Sequence, residues 1–210
     1  MSKTGYTMQF RAHPSWYARR NDNTTYTRLS LAIPLLCLAS SAAQADGTFF
    51  QLDLGAPTAD AVLAATRGKM SYGANYSNYE SGWSAGIHVT RDFAIEDFGT
   101  LKIGPSLGTS DEVKRIKLGG KIILERYQPT NFGFLFLSAQ YNTNENDWFT
   151  LAQIGNAQGL SVDLTAGGSD NYSEQSVAVN YRLNGGPTSF RGGYRFDAKE
   201  VFIGVSVNTY

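Results

Sequence analysis

The feature that most constrains this chain is a two-residue alternation of apolar with small or polar side chains, recurring between turn signals from position 48 to position 210. A period of two belongs to extended strands whose two faces meet different surroundings. The run 48–55 sets Phe50, Leu52 and Leu54 against Gln51 and Asp53, and the run 70–77 sets Met70, Tyr72, Ala74 and Tyr76 against Ser71, Gly73, Asn75 and Ser77. Trp83, Ala85, Ile87 and Val89 oppose Ser84, Gly86, His88 and Thr90; Leu101, Ile103 and Leu107 oppose Lys102, Gly104, Ser106 and Gly108. The pattern continues through 116–125, 160–166, 177–183, 190–196 and 201–208, with a doubly apolar stretch at 132–141 and a mixed one at 148–154. Nothing from Gly68 onward keeps a helical period. Eleven strands are recognisable, and the place for a twelfth is 59–67, whose Ala-rich run fits a strand, a short helix or a plug. The intervening clusters, such as 142–147 and 184–187, are short and rich in Asn and Gly, as turns require.

The 18 basic and 18 acidic residues cancel, so no global positive field exists to hold nucleic acid. That balance hides a division at Ala45. Residues 1–45 carry five bases and one acid, whereas 46–210 carry 13 bases and 17 acids. A basic stretch ending at Arg28, an apolar run at 29–38 and small residues at Ala43 and Ala45 form a secretory signal pattern, with cleavage expected after Ala45. The apolar run is too short to span a bilayer as a helix, which takes about 20 residues. Leu36 before Cys37 argues against a lipoprotein site, and the polar residues after Arg19-Arg20 argue against a twin-arginine signal. The expected organisation is a leader at 1–45 and one β-domain at 46–210. That domain contains no cysteine, which excludes disulfides and thiolate metal sites.

A soluble barrel turns its apolar face inward and charges its outside; a membrane barrel inverts this. Here the polar faces are Gly, Ser, Thr and Asn with scattered charges, and charged residues make up only 17% of the chain against about 25% for ordinary domains. Tyr72, Tyr76, Tyr79, Trp83, Tyr127, Tyr141, Trp148, Tyr181, Tyr194 and Tyr210 stand near the ends of apolar faces, where amphipathic rings suit a membrane–water boundary.

The leader, the cysteine-free alternating strands and the last segment, 202–210 ending on Tyr210, together make the chain resemble the small outer-membrane β-barrels of Gram-negative bacteria. The resemblance implies an all-β fold: a closed antiparallel up-and-down transmembrane barrel of 10 or 12 strands, with eight longer strands as the remaining count. It also implies outer-membrane lipids as surroundings and insertion by the outer-membrane assembly machinery acting on the C-terminal strand. Val205, Val207 and Thr209 are out of register with Tyr210, a departure from that family's terminal pattern.

Within such a barrel the polar face would line the lumen. The candidates are the bases Lys102, Lys117, Lys121, Arg182, Arg191 and Arg195, opposed by Asp53, Glu125 and Asp163, together with His88. Basic tracks favour small anionic solutes, unless the charges pair across the interior and satisfy one another. His88 has no neighbouring serine in a His-x-Ser arrangement, so it offers no catalytic pair, and no catalytic residues are expected. No nucleotide fingerprint or spaced metal-ligand pattern occurs, so no cofactor or metal is expected. The leading expectation is a non-enzymatic outer-membrane, porin-like barrel, either a structural or surface protein or a narrow passive channel with a partly basic lumen. The alternatives are a soluble periplasmic barrel binding an apolar ligand and a lipid-modifying outer-membrane enzyme.

Overall fold

A computed structural model describes residues 46–210 apart from positions 81 and 171; the expected leader and its cleavage site lie outside the described residues. The described chain forms twelve strands: β1 (Gly47–Leu54), β2 (Ala59–Arg67), β3 (Met70–Tyr79), β4 (Gly82–Ile95), β5 (Gly99–Ser110), β6 (Lys117–Thr130), β7 (Gly133–Asn142), β8 (Asp147–Asn156), β9 (Leu160–Gly168), β10 (Ser173–Arg182), β11 (Thr188–Arg195) and β12 (Glu200–Asn208). Each pairs antiparallel with the next, and β12 pairs back onto β1, so the sheet is a closed up-and-down barrel without edges. The upper strand count expected from sequence is met, and the eight-strand count is excluded.

The twelfth strand is the ambiguous segment 59–67. Its inward set is Asp60, Val62, Ala64 and Thr66, and its outward set is Ala61, Leu63 and Ala65, in register with β1 from Leu54↔Ala59 to Gly47↔Thr66. Its alternation is faint because Ala occurs on both faces; pairing with two neighbours decides its conformation. The doubly apolar run also resolves. β7 sends Leu135, Leu137 and Tyr141 outward, while Phe134 and Phe136 stand on the inward side opposite Gly155 and Gln153. β6 runs on to Thr130, and its connection to β7 is only residues 131–132.

Because the strand number is even, residues 46 and 210 lie at the same rim. There the hairpins are mostly tight: residues 68–69 join β2 to β3, with Gly68 at φ 60°, a left-handed conformation that glycine adopts without steric cost. The connections at the far rim span at most six residues, 111–116 being the longest.

Register fixes which side chains face in. Asp53, Ser71, Thr90, Ser106, Lys121, Ser138, Asp163, Asn180, Arg191 and Ser206 are all buried, whereas Leu118, Val201 and Ile203 on the opposite parity are 78%, 69% and 69% exposed. The barrel is therefore polar inside and apolar outside, the reverse of a water-soluble domain.

Candidate lumen wall and pore mouth

The interior is asymmetric because small inward residues collect on one wall. Across the middle of β3, β4 and β5 the inward positions read Ser71, Gly73, Asn75, Ser77, then Ser84, Gly86, His88, Thr90, then Gly104, Ser106, Gly108, Ser110, with Tyr79 toward the far rim and Asp92 and Lys102 toward the other also facing in. Six strands away, β9 to β12 with β1 and β2 carry bulky charged groups in two clusters that meet at the Phe202 ring.

Arg191 on β11 sits in register with Gly204 of β12, which in turn faces Asp53 of β1. A Cβ on Gly204 would collide with Asp53 Oδ1, so glycine there lets the ion pair pass over the intervening strand. Arg191 Nε lies 3.0 Å from Asp53 Oδ1 as an ion pair without hydrogen-bond alignment, and its Nη1 lies 3.5 Å from Asp163 Oδ2. All three side chains are nearly inaccessible, and each carboxylate also accepts an amide bond: Gln51 Nε2 donates to Asp53 at 2.8 Å and Gln153 Nε2 to Asp163 at 2.8 Å.

Toward the far rim, Arg195 repeats the arrangement. Its Nη2 donates to Asp60 Oδ2 at 2.5 Å and its Nη1 to Glu200 Oε1 at 2.8 Å, while Thr58 bridges the same group. Glu200 Oε2 also accepts from the Ala56 backbone N–H at 3.0 Å. Between the two arginines lies the Phe202 ring, 2% exposed, with guanidinium carbons 5.8 Å (Arg191) and 4.6 Å (Arg195) from its centroid. This cation–π stacking holds both side chains flat against the wall, and Gly193 leaves the slot that the ring fills.

On the opposite side Lys102 Nζ stands 2.8 Å from Glu125 Oε2 and 3.9 Å from Asp92 Oδ2, and the Ser71 hydroxyl donates to Asp92 at 2.8 Å. Lys117 reaches Glu145 Oε1 at 3.3 Å. Lys121 is buried in register with Gly104 and Asn142, with Asp147 as its opposite charge. Arg182 stands apart: it is exposed at the end of β10 near the rim that holds residue 210.

A basic track thus fails to form. Three of the expected bases, Lys102, Arg191 and Arg195, are each flanked by two carboxylates, and Lys117 by one. Asp60, Asp92, Glu145 and Glu200, which complete these groups, were not among the sequence candidates. The signal that would have found Asp60 and Glu200 is their parity with Asp53 and Arg195 once β2 and the 197–199 turn are set.

Among the described residues, a ring contact reaches across the far rim. Tyr172, between β9 and β10, stacks on the inward-facing Tyr79 of β3, ring centroids 5.9 Å apart. These elements come from opposite sides of the barrel. The 143–146 turn leans in beside it. Asn144 Nδ2 donates to Ser106 Oγ at 3.2 Å, Glu145 Oε1 accepts from Ser110 Oγ at 3.4 Å, and Asn146 Nδ2 donates to Asp170 Oδ1 at 2.8 Å.

His88 lies over Gly73, where a Cβ would strike its ring. Its register partner Ser106 donates its hydroxyl proton to Asn142 Oδ1 at 2.8 Å, so that proton is not directed at His88. Among the described residues no group of three His, Cys, Asp or Glu side chains is arranged to hold a metal ion.

Of the expected boundary aromatics, Tyr72, Tyr76, Trp83, Tyr141, Trp148, Tyr181 and Tyr194 all point outward and are between 36% and 56% exposed. Tyr76 and Trp83 stack at 6.5 Å, and Tyr141 pairs with Trp148 across β7 and β8. Tyr79, Tyr127 and Tyr210 do not join them. Tyr79 belongs to the mouth contact, and Tyr127 stacks on the inward Phe134 at 5.8 Å. Tyr210, two residues past inward Asn208, packs over Gly47 and hydrogen-bonds Thr66 Oγ1 at 3.0 Å, at the inner rim. The register mismatch at Val205 and Val207 is the physical reason: a period of two cannot put Val207 and Tyr210 on one face.

No protein-family model matches the chain, and no curated protein matches it. Among solved structures it is similar to a KdgM porin in complex with disordered oligogalacturonate, with a TM-score of 0.52, 8% identity, and coverage of 78% of this chain and 99% of that one. It is similar to a KdgM porin structure at TM-score 0.52 and 7% identity, over the same shares of the two chains. At these identities the likeness is one of fold: a closed antiparallel up-and-down barrel that a porin also uses.

Proposed function

We propose that the protein is an outer-membrane β-barrel serving as a narrow, non-enzymatic passive channel for small hydrophilic solutes. The observation that carries this reading is the inversion of polarity, with apolar and aromatic side chains outward and with Ser, Gly, Asn and ion pairs inward. Only a lipid surrounding makes that outer face favourable. The interior dimensions support passage. Twelve strands spaced about 4.8 Å apart and tilted by about 40° enclose a backbone cylinder roughly 24 Å across. The Gly/Ser wall of β3 to β5 then leaves room opposite the charged wall. The porin fold of the similar structures agrees with this use.

The test is recovery of the protein in the outer-membrane fraction with heat-modifiable migration in detergent gels, followed by conductance in planar bilayers. A freely soluble periplasmic product would support the apolar-ligand barrel instead. A second reading, a structural or surface barrel, draws on the Tyr79–Tyr172 contact across the far rim. Membrane insertion without conductance would favour it. The lipid-modifying alternative lacks support in the inward setting of His88, away from the lipid face.

A further inference from the structure

We infer that the channel prefers cationic over anionic solutes, because three of its interior cations are each held between two carboxylates. This deepens the channel reading and rests on it. The repeated unit is one base between two acids: Lys102 with Asp92 and Glu125, Arg191 with Asp53 and Asp163, Arg195 with Asp60 and Glu200. Each unit carries one net negative charge. Of two further inward bases, Lys117 is ion-paired with Glu145, and Lys121 lies within the field of Asp147 without an ion pair to it.

Two consequences follow from this stoichiometry. Among the described residues, an anion that has passed the rim meets no uncommitted inward guanidinium: to bind Arg191 or Arg195 it must displace a carboxylate that is already placed, and Phe202 holds both arginines against the wall. A cation needs no displacement. It meets carboxylates whose second lone pairs are only partly neutralised, inside a wall whose apolar exterior focuses the field. The excess also sits where solvent reaches it, since the Asp60 and Glu125 side chains are 33% and 27% exposed while their cations are 7% and 13% exposed. Accessible carboxylates over sheltered cations set the sign of the potential that a solute meets.

The experiment is the reversal potential of the full chain in planar bilayers under a KCl gradient. The expected sign is that of a K⁺-preferring pore. The paired variant Asp60→Asn/Glu125→Gln, which removes the two more exposed acids, should shift the reversal potential toward Cl⁻. Asp53→Asn/Asp163→Asn should shift it further by freeing Arg191; because that variant alters a buried group, its heat-modifiable migration is checked first. A wild-type pore that prefers Cl⁻, or an Asp60→Asn/Glu125→Gln pore with an unchanged reversal potential, overturns the inference and leaves the channel reading standing. Absence of any conductance overturns both.

Discussion

Replacing Arg191 by Met is the sharpest test of how the interior is held together. The substitution keeps the apolar stem of the side chain to about the Nε position, removes the guanidinium that lies over Phe202, and leaves Asp53 and Asp163, 4% and 4% exposed, with no shared cation. Removing one partner of a buried ion pair costs about 3–5 kcal/mol, most of it the penalty of a stranded charge. The Gln51 and Gln153 amides remain, so the lower half of that range is expected. At about 1.4 kcal/mol per factor of ten, 3 kcal/mol is a loss of roughly 150-fold in the folding equilibrium. The same arithmetic predicts rescue. In Arg191→Met/Asp53→Asn/Asp163→Asn no charge is stranded, and replacing a whole buried ionic group by neutral residues is often close to neutral. The assay is urea unfolding of the lipid-reconstituted barrel, followed by the fluorescence of Trp83 and Trp148. A single variant costing under about 1 kcal/mol, or a triple variant no more stable than the single, would refute the claim that the arginine compensates those two carboxylates.

Other outcomes follow from the same geometry. Gly204→Val should cost about 1–3 kcal/mol through collision with the Asp53 carboxylate and the Leu52 carbonyl, while Gly120→Ala, where nothing lies within 4 Å, should be neutral in the same unfolding assay. Leu164→Arg, mid-strand on the outward face and 55% exposed, should lower membrane stability by about 2–4 kcal/mol. A change near zero would mean that Leu164 does not meet lipid. Tyr172→Ala removes the ring that stacks on Tyr79 and should raise single-channel conductance; equal conductance would deny that this contact narrows the mouth. His88→Ala should leave both the conductance and the migration of the barrel unchanged, because the Ser106 proton is committed to Asn142.

The alternation in 70–77, 83–90 and 201–208 carried the strands, their faces and the polarity inversion, because each such run has one consistently apolar parity. Segment 59–67 was ambiguous for a physical reason: alanine on both parities gives no face, and only the neighbours β1 and β3 supply one. The site was half legible. Arg191, Arg195, Lys102 and their partners Asp53, Asp163 and Glu125 lie on the inward parity that the sequence displays. Their pairing is not local in sequence, since Arg195 meets Asp60 across two intervening strands, and no spacing encodes that. The basic lumen expected from counting lysines and arginines gave way because the compensating acids include Asp60, Asp92 and Glu200, which sit in or beside the least regular segments. Tyr210 shows the opposite limit. Its mismatch with Val207 was visible, and the inner-rim position follows directly from it.

The central claim is that the apolar face of each strand meets lipid and the polar face meets water, and β4 tests it at adjacent residues. Residues 46–210 contain no cysteine, so Ile87→Cys and His88→Cys report their surroundings without competition there. In the membrane-inserted barrel, the account predicts that the His88→Cys thiol reacts with a small water-soluble reagent while the Ile87→Cys thiol reacts only with a lipid-soluble one. Labelling of the Ile87→Cys variant by the water-soluble reagent, with the His88→Cys variant shielded from it, would contradict the account.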